Sequence, residues 1–478
     1  MATGEPFAVK FARERIQRGD AHFDKVYDIC RPLAVTDEQY VRLMSEFNQA
    51  MQDGLSDTRQ QSSTLKMLPT YVRAVPNGQE EGDFLALDLG GTNFRVLLIQ
   101  IRGGQSRLDG KIFRVPQHIM TGTGAELFDH IAHCLAEFVH ASGLDPSQKL
   151  PLGFTFSFPC EQSGLINGKL LEWTKGFTAS GVVGQDIVQL LHDAILRRDD
   201  VDIDVVALLN DTVGTLMACA FQENSCQVGV IVGTGTNACY LEQLDKCGKL
   251  WELGEGKEGD MIINTEWCGY GNDGELDFIR TEFDYVVDQN TVNAGKQIFE
   301  KMVSGMYLGE LVRLVLVKLC EEKLLFNGVG SQLLFKEHTI GAKHLSEIEK
   351  DVLDEEESYA QTMTILHDLG LVHVSTDECA IVAFVCSLVS SRSAHVCAAA
   401  LAVILNRMNK SFVTVGVDGS VYRFHPFFKQ LLDRKIRQLL RPGLDFQLML
   451  SEDGSGRGAA LVAAVACRIQ REKQTARN

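Results

Sequence analysis

The chain has 478 residues, 45 % of them hydrophobic and 23 % charged, with a formal net charge of −17. That length exceeds one ordinary hydrophobic core and predicts two or more domains. The acidic balance excludes an electrostatic footprint for nucleic acid or an anionic membrane, so any phosphate must be held locally by backbone amides, a few cations and a bound metal.

In chain order, the N-terminal run FAVKFARERIQRG lacks a signal-peptide core, and a loosely ordered extension is expected there. A capping signal at 36–39 opens a helix that Gly54 ends, with Tyr40, Val41, Met44, Phe47 and Met51 on one face. Residues 69–82 read as loop. FLALDL, the turn GGTN and FRVLLIQI form a strand pair. Residues 125–141 predict a helix, PLGFTFSFP a buried strand ending at Ser157, and residues 182–198 a helix. DVVALLND is an apolar strand stopping at Asn210 and Asp211, and TVGTLMACAF continues as a helix. VGVIVGTGTNACYLEQL is a second hairpin around a glycine–threonine turn. A long amphipathic helical region follows over 293–325, then an acidic run at 350–360 read as a solvated helix start, and a long helix over 381–408. FVTVGVDGSVYRF predicts strand, glycine turn and strand, and LMLSEDGSGRG leads into a final helix. Strands alternating with helices indicate an α/β fold. The echo between LGGTN and GTGTN indicates two similar halves facing a cleft.

The 13 cysteines are scattered through apolar runs, with no CxxC pair and no zinc spacing. Buried free thiols in a reducing, cytosolic compartment are expected. The most apolar stretch, 394–405, is too short to span a bilayer, so no membrane insertion is expected.

Four glycine-rich turns follow strands, at 90–93, 233–237, 416–420 and 454–458. Glycine lets backbone approach closely, and consecutive amides make an anion-binding nest. One such turn is usually only a turn; four, two of them sharing Gly-Thr-Asn, point to phosphate. None of the four matches the P-loop or the GxGxxG dinucleotide fingerprint. Asp211 follows a buried strand, at the edge where open α/β sheets bind ligands, and precedes a helix. An aspartate there is as readily an N-cap as a base; Asn210 and the phosphate turns favour a base. Lys175 and Arg95 are each either surface cations or partners of a phosphoryl group.

LDLGGTNFRV, LGFTFSFP, WTKGF, LNDTVGT, GTGTNACY, INTEW, FEKMVSGMYLGELVR, VTVGVDGSVY and SEDGSGRGAAL resemble the eukaryotic hexokinase/glucokinase family. They occur in family order over nearly the whole chain, at the length of a single catalytic unit. The resemblance implies an actin-like (ribonuclease H-like) ATPase fold with two domains around a cleft. The large domain would be 1–74 with 211–453, and the small one 75–210 with 454–478. It implies an ATP-dependent hexokinase for glucose and related hexoses, the first step of glycolysis, with sugar-induced closure. Asp211 would be the base and Lys175 its catalytic partner. Ser157, Thr174, Lys175, Asn210, Asp211, Asn237, Glu266 and Glu300 would bind sugar. Asp88, Gly90, Gly91, Thr92, Asn93, Arg95, Thr234, Ser420 and Ser455 would lie near ATP and Mg2+, without a protein metal cage. A regulatory protein or mitochondrial association stays open, as do two rivals: a sugar-binding regulator without turnover, and another actin-like phosphotransferase. Relatives usually read NTEWGAFG, where this chain has Cys268, Gly269 and Tyr270.

Overall fold

The computed structural model describes residues 20–90, 93–145, 148–158, 160–173, 176–252, 258–353, 358–452 and 454–475, with only the backbone of Asp20, Glu252 and Ser455. The N-terminal extension and residues 354–357 of the acidic run lie outside the described residues. Helix α1 (Asp20–Cys30) leads into α2 (Asp37–Gly54). Thr36 and Gln39 close the expected capping box, with Thr36 N donating to Gln39 Oε1 at 2.8 Å. Tyr40, Leu43, Phe47 and Met51 make the buried face of α2. Val41 was expected there but is 63 % exposed, because one residue beyond Tyr40 the helix has turned by about 100°.

A short strand β1 (Leu68–Pro69) precedes the first sheet. Strands β2 (Gly82–Leu89), β3 (Asn93–Arg102) and β4 (Gln105–Arg114) form an antiparallel meander. Helix α3 (Gly124–Ala141) leads to β5 (Leu150–Phe156), which pairs in parallel with β2. The hairpin β6 (Cys160–Gly164) and β7 (Asn167–Leu170) and helix α4 (Ile187–Arg198) intervene before β8 (Ile203–Leu209), parallel to β5. The sheet order is β4-β3-β2-β5-β8. Helix α5 (Asp211–Gln222) then opens the second half, with strands β9 (Cys226–Val232), β10 (Thr236–Gln243) and β11 (Asp260–Asn264). Helices α6 (Glu282–Gln289), α7 (Ile298–Val303), α8 (Gly305–Glu321) and α9 (Thr376–Met408) follow. The chain ends with β12 (Phe412–Asp418), α10 (Ser420–Phe424), β13 (Asp445–Leu450) and α11 (Gly454–Thr475). This sheet runs β1-β11-β10-β9-β12-β13.

Apart from β1, the two sheets share one plan. The first strand of a three-strand antiparallel meander also pairs in parallel with a fourth strand, and the fourth pairs with a fifth. The helix after each fifth strand crosses to the other sheet. Helix α5 packs on the second sheet, where a Cβ at Gly229 would stand 2.4 Å from Thr212 O. Helix α11 packs on the first, where a Cβ at Gly153 would stand 1.9 Å from Ala459 O. The two helices cross where Gly458 faces the backbone of Gly214. Leu97, Leu209, Leu216 and Ala463 fill the apolar seam around this crossing. The doubled plan is the actin-like α/β fold implied by the resemblance.

Several elements differ from expectation. Helix α4 starts only at Ile187, because Gly184 has φ +79° and Asp186 caps the helix by accepting from Val188 N at 2.9 Å. The region 293–325 is two helices broken at Ser304, which is extended (ψ 151°). There Gly305 N donates to Gly233 O at 2.8 Å instead of continuing the helical ladder. Residues 420–424 form a short helix, not a strand, and Gly416 lies inside β12. Residues 454–458 are the first turn of α11 rather than a separate turn. Strand β4 is mostly exposed and polar, so it carries no hydrophobic alternation to announce it. Pro69 belongs to β1 and Gly82 opens β2. Near the acidic run, Asp351 is buried and accepts from Thr362 N at 2.7 Å.

All 13 cysteines are free thiols, most of them buried. Helix α9 has 33 residues and is long and apolar enough to cross a membrane, but 89 % of its most apolar window is buried inside the protein. It is anchored there by Arg392, which donates to both oxygens of Asp284 on α6 at 2.7 Å. Burial works against the Asp284 charge, yet Arg392 and Thr281 hold its carboxyl below the usual range.

Candidate active site

The first half contributes the carboxyl edge of its parallel strands. Asp88 pairs in register with Thr155, and Thr155 with Leu209, so Asp88, Ser157, Asn210 and Asp211 emerge at one edge. Ser157 N donates to Leu89 O at 3.1 Å, and a Cβ at Gly90 would lie 3.6 Å from Ser157 Oγ. Asn210 is the N-cap of α5: its side-chain oxygen accepts from Thr212 N at 2.9 Å and from the Thr212 hydroxyl at 2.8 Å. That leaves Asp211 as the first helical residue, half-buried, with the positive end of the helix favouring its charged form. The capping role thus falls to Asn210 and leaves the Asp211 side chain without it.

The second half contributes a polar cluster at the matching end of β10 and β11. Asn237 Nδ2 donates to Glu266 Oε1 at 3.0 Å and to Asn264 Oδ1 at 2.9 Å. Asn264 Nδ2 also donates to Glu266 Oε1, at 2.6 Å. Glu266 sits in the left-handed region (φ 50°), a conformation that two side-chain amides help to fix. Asn264 was not singled out from sequence. An asparagine closing the apolar strand DMIIN was the available signal, since a buried amide needs partners.

Glu300, on α7, accepts from Thr236 N at 3.0 Å. A Cβ at Gly235 would stand 2.6 Å from its Oε2, so only glycine leaves room. Burial pushes the Glu300 carboxyl above its usual range; the Thr236 amide opposes this, while the charges of Glu266 and Asp211 add to it. The Glu300 carboxyl therefore lies within electrostatic reach of both Glu266 and Asp211. Three carboxylates with neighbouring amides can pair the hydroxyls of a polyol, each of which both donates and accepts.

The Cys268–Tyr270 departure borders this cluster. Cys268 Sγ lies 3.6 Å from Glu266 Oε2, and burial, with the Glu266 and Glu300 charges, holds its thiol well above the ordinary value. Tyr270 is fully buried, edge-on to Phe47 with ring centroids 5.0 Å apart.

A third group gathers at the carboxyl ends of β9, β12 and β13. Thr234 and Ser420 are exposed there. Gly419 has φ +113°, and a Cβ on it would stand 2.3 Å from Val232 O, so glycine is required where these turns meet. Asp418, not singled out from sequence, ties the turns together: Oδ1 accepts from Gly419 N at 2.7 Å, and Arg423 bridges it to Ser451 O. The Ser455 backbone lies in the first turn of α11, and Gly305 at the start of α8 abuts Gly233. Such a ring of turns and helix starts can receive phosphate.

On the β2–β3 hairpin, Asn93 is exposed and Arg95 donates to Asp88 Oδ2 at 2.7 Å. Arg95 therefore has a carboxylate partner, as well as any phosphate it meets. Gly91, Thr92, Thr174 and Lys175 lie outside the described residues.

The hexokinase family model matches in two parts, over residues 25–221 and 227–465. Hexokinase-2 of Equus caballus is 48 % identical over 452 residues, 93 % of this chain and 48 % of that protein. Hexokinase-1 of Homo sapiens is 46 % identical over 459 residues, 94 % of this chain and 49 % of that protein. The chain thus spans about half the length of the curated relatives it matches. Among solved structures, the hexokinase from Schistosoma mansoni complexed with glucose matches with a TM-score of 0.82 and 43 % identity, covering 93 % of this chain and 99 % of that one. A second hexokinase crystal structure matches at 30 % identity, also with a TM-score of 0.82. With the whole of that glucose-bound enzyme's length matched and both halves recognised, this chain belongs to the hexokinase family.

Proposed function

We propose that the protein transfers the γ-phosphoryl group of ATP to the 6-hydroxyl of glucose and related hexoses. The observation that carries this reading is the buried Glu300, held by the Thr236 amide, with the amide-clamped Glu266 and with Asp211 at the start of α5 close enough for their charges to act on it. Glu266 has Oε1 clamped by Asn237 and Asn264, while Oε2, met only by the weak Cys268 thiol donor at 3.6 Å among the hydrogen bonds described, can accept a sugar hydroxyl. Glu300, steadied by the Thr236 amide, serves a second hydroxyl, and Ser157, Thr174, Asn210 and Asn237 complete the set. A sugar lacking a paired hydroxyl leaves a buried group unsatisfied, which supplies specificity.

Asp211 is the base. As the C6 oxygen attacks the γ-phosphorus, the bond from phosphorus to the bridging oxygen breaks, ADP leaves, and the hydroxyl proton passes to Asp211. Thr234, Ser420, the start of α11 and the Gly90–Thr92 turn with Asn93 receive the phosphates, and Lys175 and Arg95 offset charge on them. No group of three metal-ligating side chains occurs among the described residues. A magnesium ion would be carried by the nucleotide phosphates, with the Asp88 carboxylate able to approach it. When bound, the ion supplies neutralisation of phosphate charge.

Residues 75–210 with 454–478, and 1–74 with 211–453, act as the two bodies that close on sugar. The crossing helices α5 and α11 form the hinge between them. Closure keeps water, a smaller nucleophile, from the γ-phosphate. The test is ADP production from Mg-ATP with glucose, mannose, fructose and glycerol. Hexose-dependent turnover with no glycerol turnover is expected. Turnover with glycerol alone, or sugar-independent ATP hydrolysis, contradicts the reading.

A further inference from the structure

Helix α7, which carries Glu300, has only six residues, too few to hold itself in place. Its anchor is Lys301, the residue after Glu300. Lys301 is 3 % exposed, and its ammonium donates to Asp288 Oδ1 at 2.7 Å and to Asn293 O at 3.0 Å. Asp288, on α6, also accepts from Gly295 N at 2.9 Å and from Arg280 at 3.2 Å. One carboxylate therefore gathers a lysine, an arginine and the backbone of the loop leading into α7. A buried lysine is costly even when paired, and a leucine would fill the volume with less desolvation. The lysine is thus poorly explained by packing alone. Its position, bonded to Asp288 and next in the chain to Glu300, on whose carboxyl its charge acts, offers another role.

We propose that the buried Lys301–Asp288 pair is a positioning element for sugar recognition, locking α7 onto the 288–297 loop so that Glu300 meets the Thr236 amide and faces the sugar. The inference rests on the reading of Glu300 as a sugar ligand. Asp211, Glu266 and Glu300 crowd negative charge together. Of the groups that face Glu300, Cys268 and Tyr307 are neutral, and Lys301 is the cation that opposes this crowding. Lys301 is a positioning residue, since its ammonium is bonded to Asp288 and the Asn293 carbonyl rather than turned to the sugar. Without it, α7 loosens and the Glu300 charge is harder to keep. The ionised carboxylate needed to accept a sugar hydroxyl is then lost at a higher pH, so the acid limb of the pH profile moves up.

The test measures Lys301→Met, Lys301→Arg and Glu300→Ala for glucose KM, ATP KM and the pH profile of kcat/KM for glucose. Lys301→Met is expected to raise glucose KM about tenfold while ATP KM stays within about twofold. Its acid limb should move up by about half a unit, and Lys301→Arg should restore most of both effects. A folded Lys301→Met with unchanged glucose KM and acid limb overturns the inference, as does an equal rise in both KM values. If Lys301→Met does not fold, Asp288→Asn, which keeps the side-chain volume and breaks the pair while leaving the lysine charge, is read on KM alone: glucose KM should rise with ATP KM within about twofold, and an unchanged glucose KM overturns the inference. Glu300→Ala separates the two levels of argument. If it leaves glucose KM unchanged, the sugar-ligand reading fails and the inference with it. If it raises glucose KM while Lys301→Met has no effect, only the inference fails.

Discussion

At the scale of single residues, Glu300 is held in the folded chain against an electrostatic cost. Burial and the charges of Glu266 and Asp211 favour its protonated form. Its folded pKa lies above its unfolded value, so between the two the folded state binds more protons than the unfolded state. Stability from this group is therefore present at low pH and lost as pH rises through the raised value. Glu300→Gln keeps an acceptor for Thr236 N and removes the charge. We predict that it raises the melting temperature of the ligand-free protein at neutral pH and flattens the pH dependence of melting, while raising glucose KM by about tenfold. Thermal melts across the acid-to-neutral range check this, and a lower melting temperature at neutral pH contradicts it. Residues of this kind were partly legible in sequence. Glu266 and Glu300 were read from motifs, and Asn210 and Asp211 from a strand end. Asn237 was read with them, but Asn264, the second amide on Glu266, was not, because a side-chain clamp formed across two strands leaves no periodic trace. Asp418 escaped too: besides its neighbours Gly419 and Arg423 it accepts from Gly454 N at 3.4 Å, 36 residues further on, a contact no local pattern announces.

At the scale of elements, the crossing of α5 and α11 depends on absent side chains. A Cβ at residue 458 would meet Gly214 O at 2.0 Å and Gly214 Cα at 2.2 Å. These are backbone atoms of a packed helix, unable to swing aside as a flexible side chain would. Gly458→Ala should therefore destabilise the fold by about 3 kcal/mol, measured by chemical denaturation, despite alanine's better helix propensity. A change below about 0.5 kcal/mol would show that the helices are not so closely apposed. Local signals located most elements. The Thr36–Gln39 capping box, the β2–β3 and β9–β10 strand pairs and the apolar strand before Asp211 all stand as read. The errors arose where tertiary contacts override local pattern. Ser304 breaks a helical run because the Gly305 amide turns to the Gly233 carbonyl. The alternating residues after Gly419 look like a strand but coil into a helix, because Gly419 is pressed against Val232 O. Polar β4 is a strand through its pairing with β3 and not through its own composition.

At the scale of the whole molecule, a doubled sheet plan carries the site. Each half offers the carboxyl edge of its parallel strands, and the helix leaving each half braces the other. Residues as far apart as Asp88 and Ser420 thus come from corresponding edges of two sheets. The echo of Gly-Thr-Asn pointed to two halves, whereas the exchange of α5 and α11 between them is set by neither pattern nor composition and was implied only by the family resemblance, which groups 454–478 with 75–210. The central claim, that Asp211 is the base of a hexose phosphotransfer, is tested most directly by glucose-dependent ADP production from Mg-ATP for the wild type and Asp211→Ala. The account predicts an active wild type and a variant that still folds and binds glucose but loses about a hundredfold or more in kcat. Equal activity in the two proteins would contradict it.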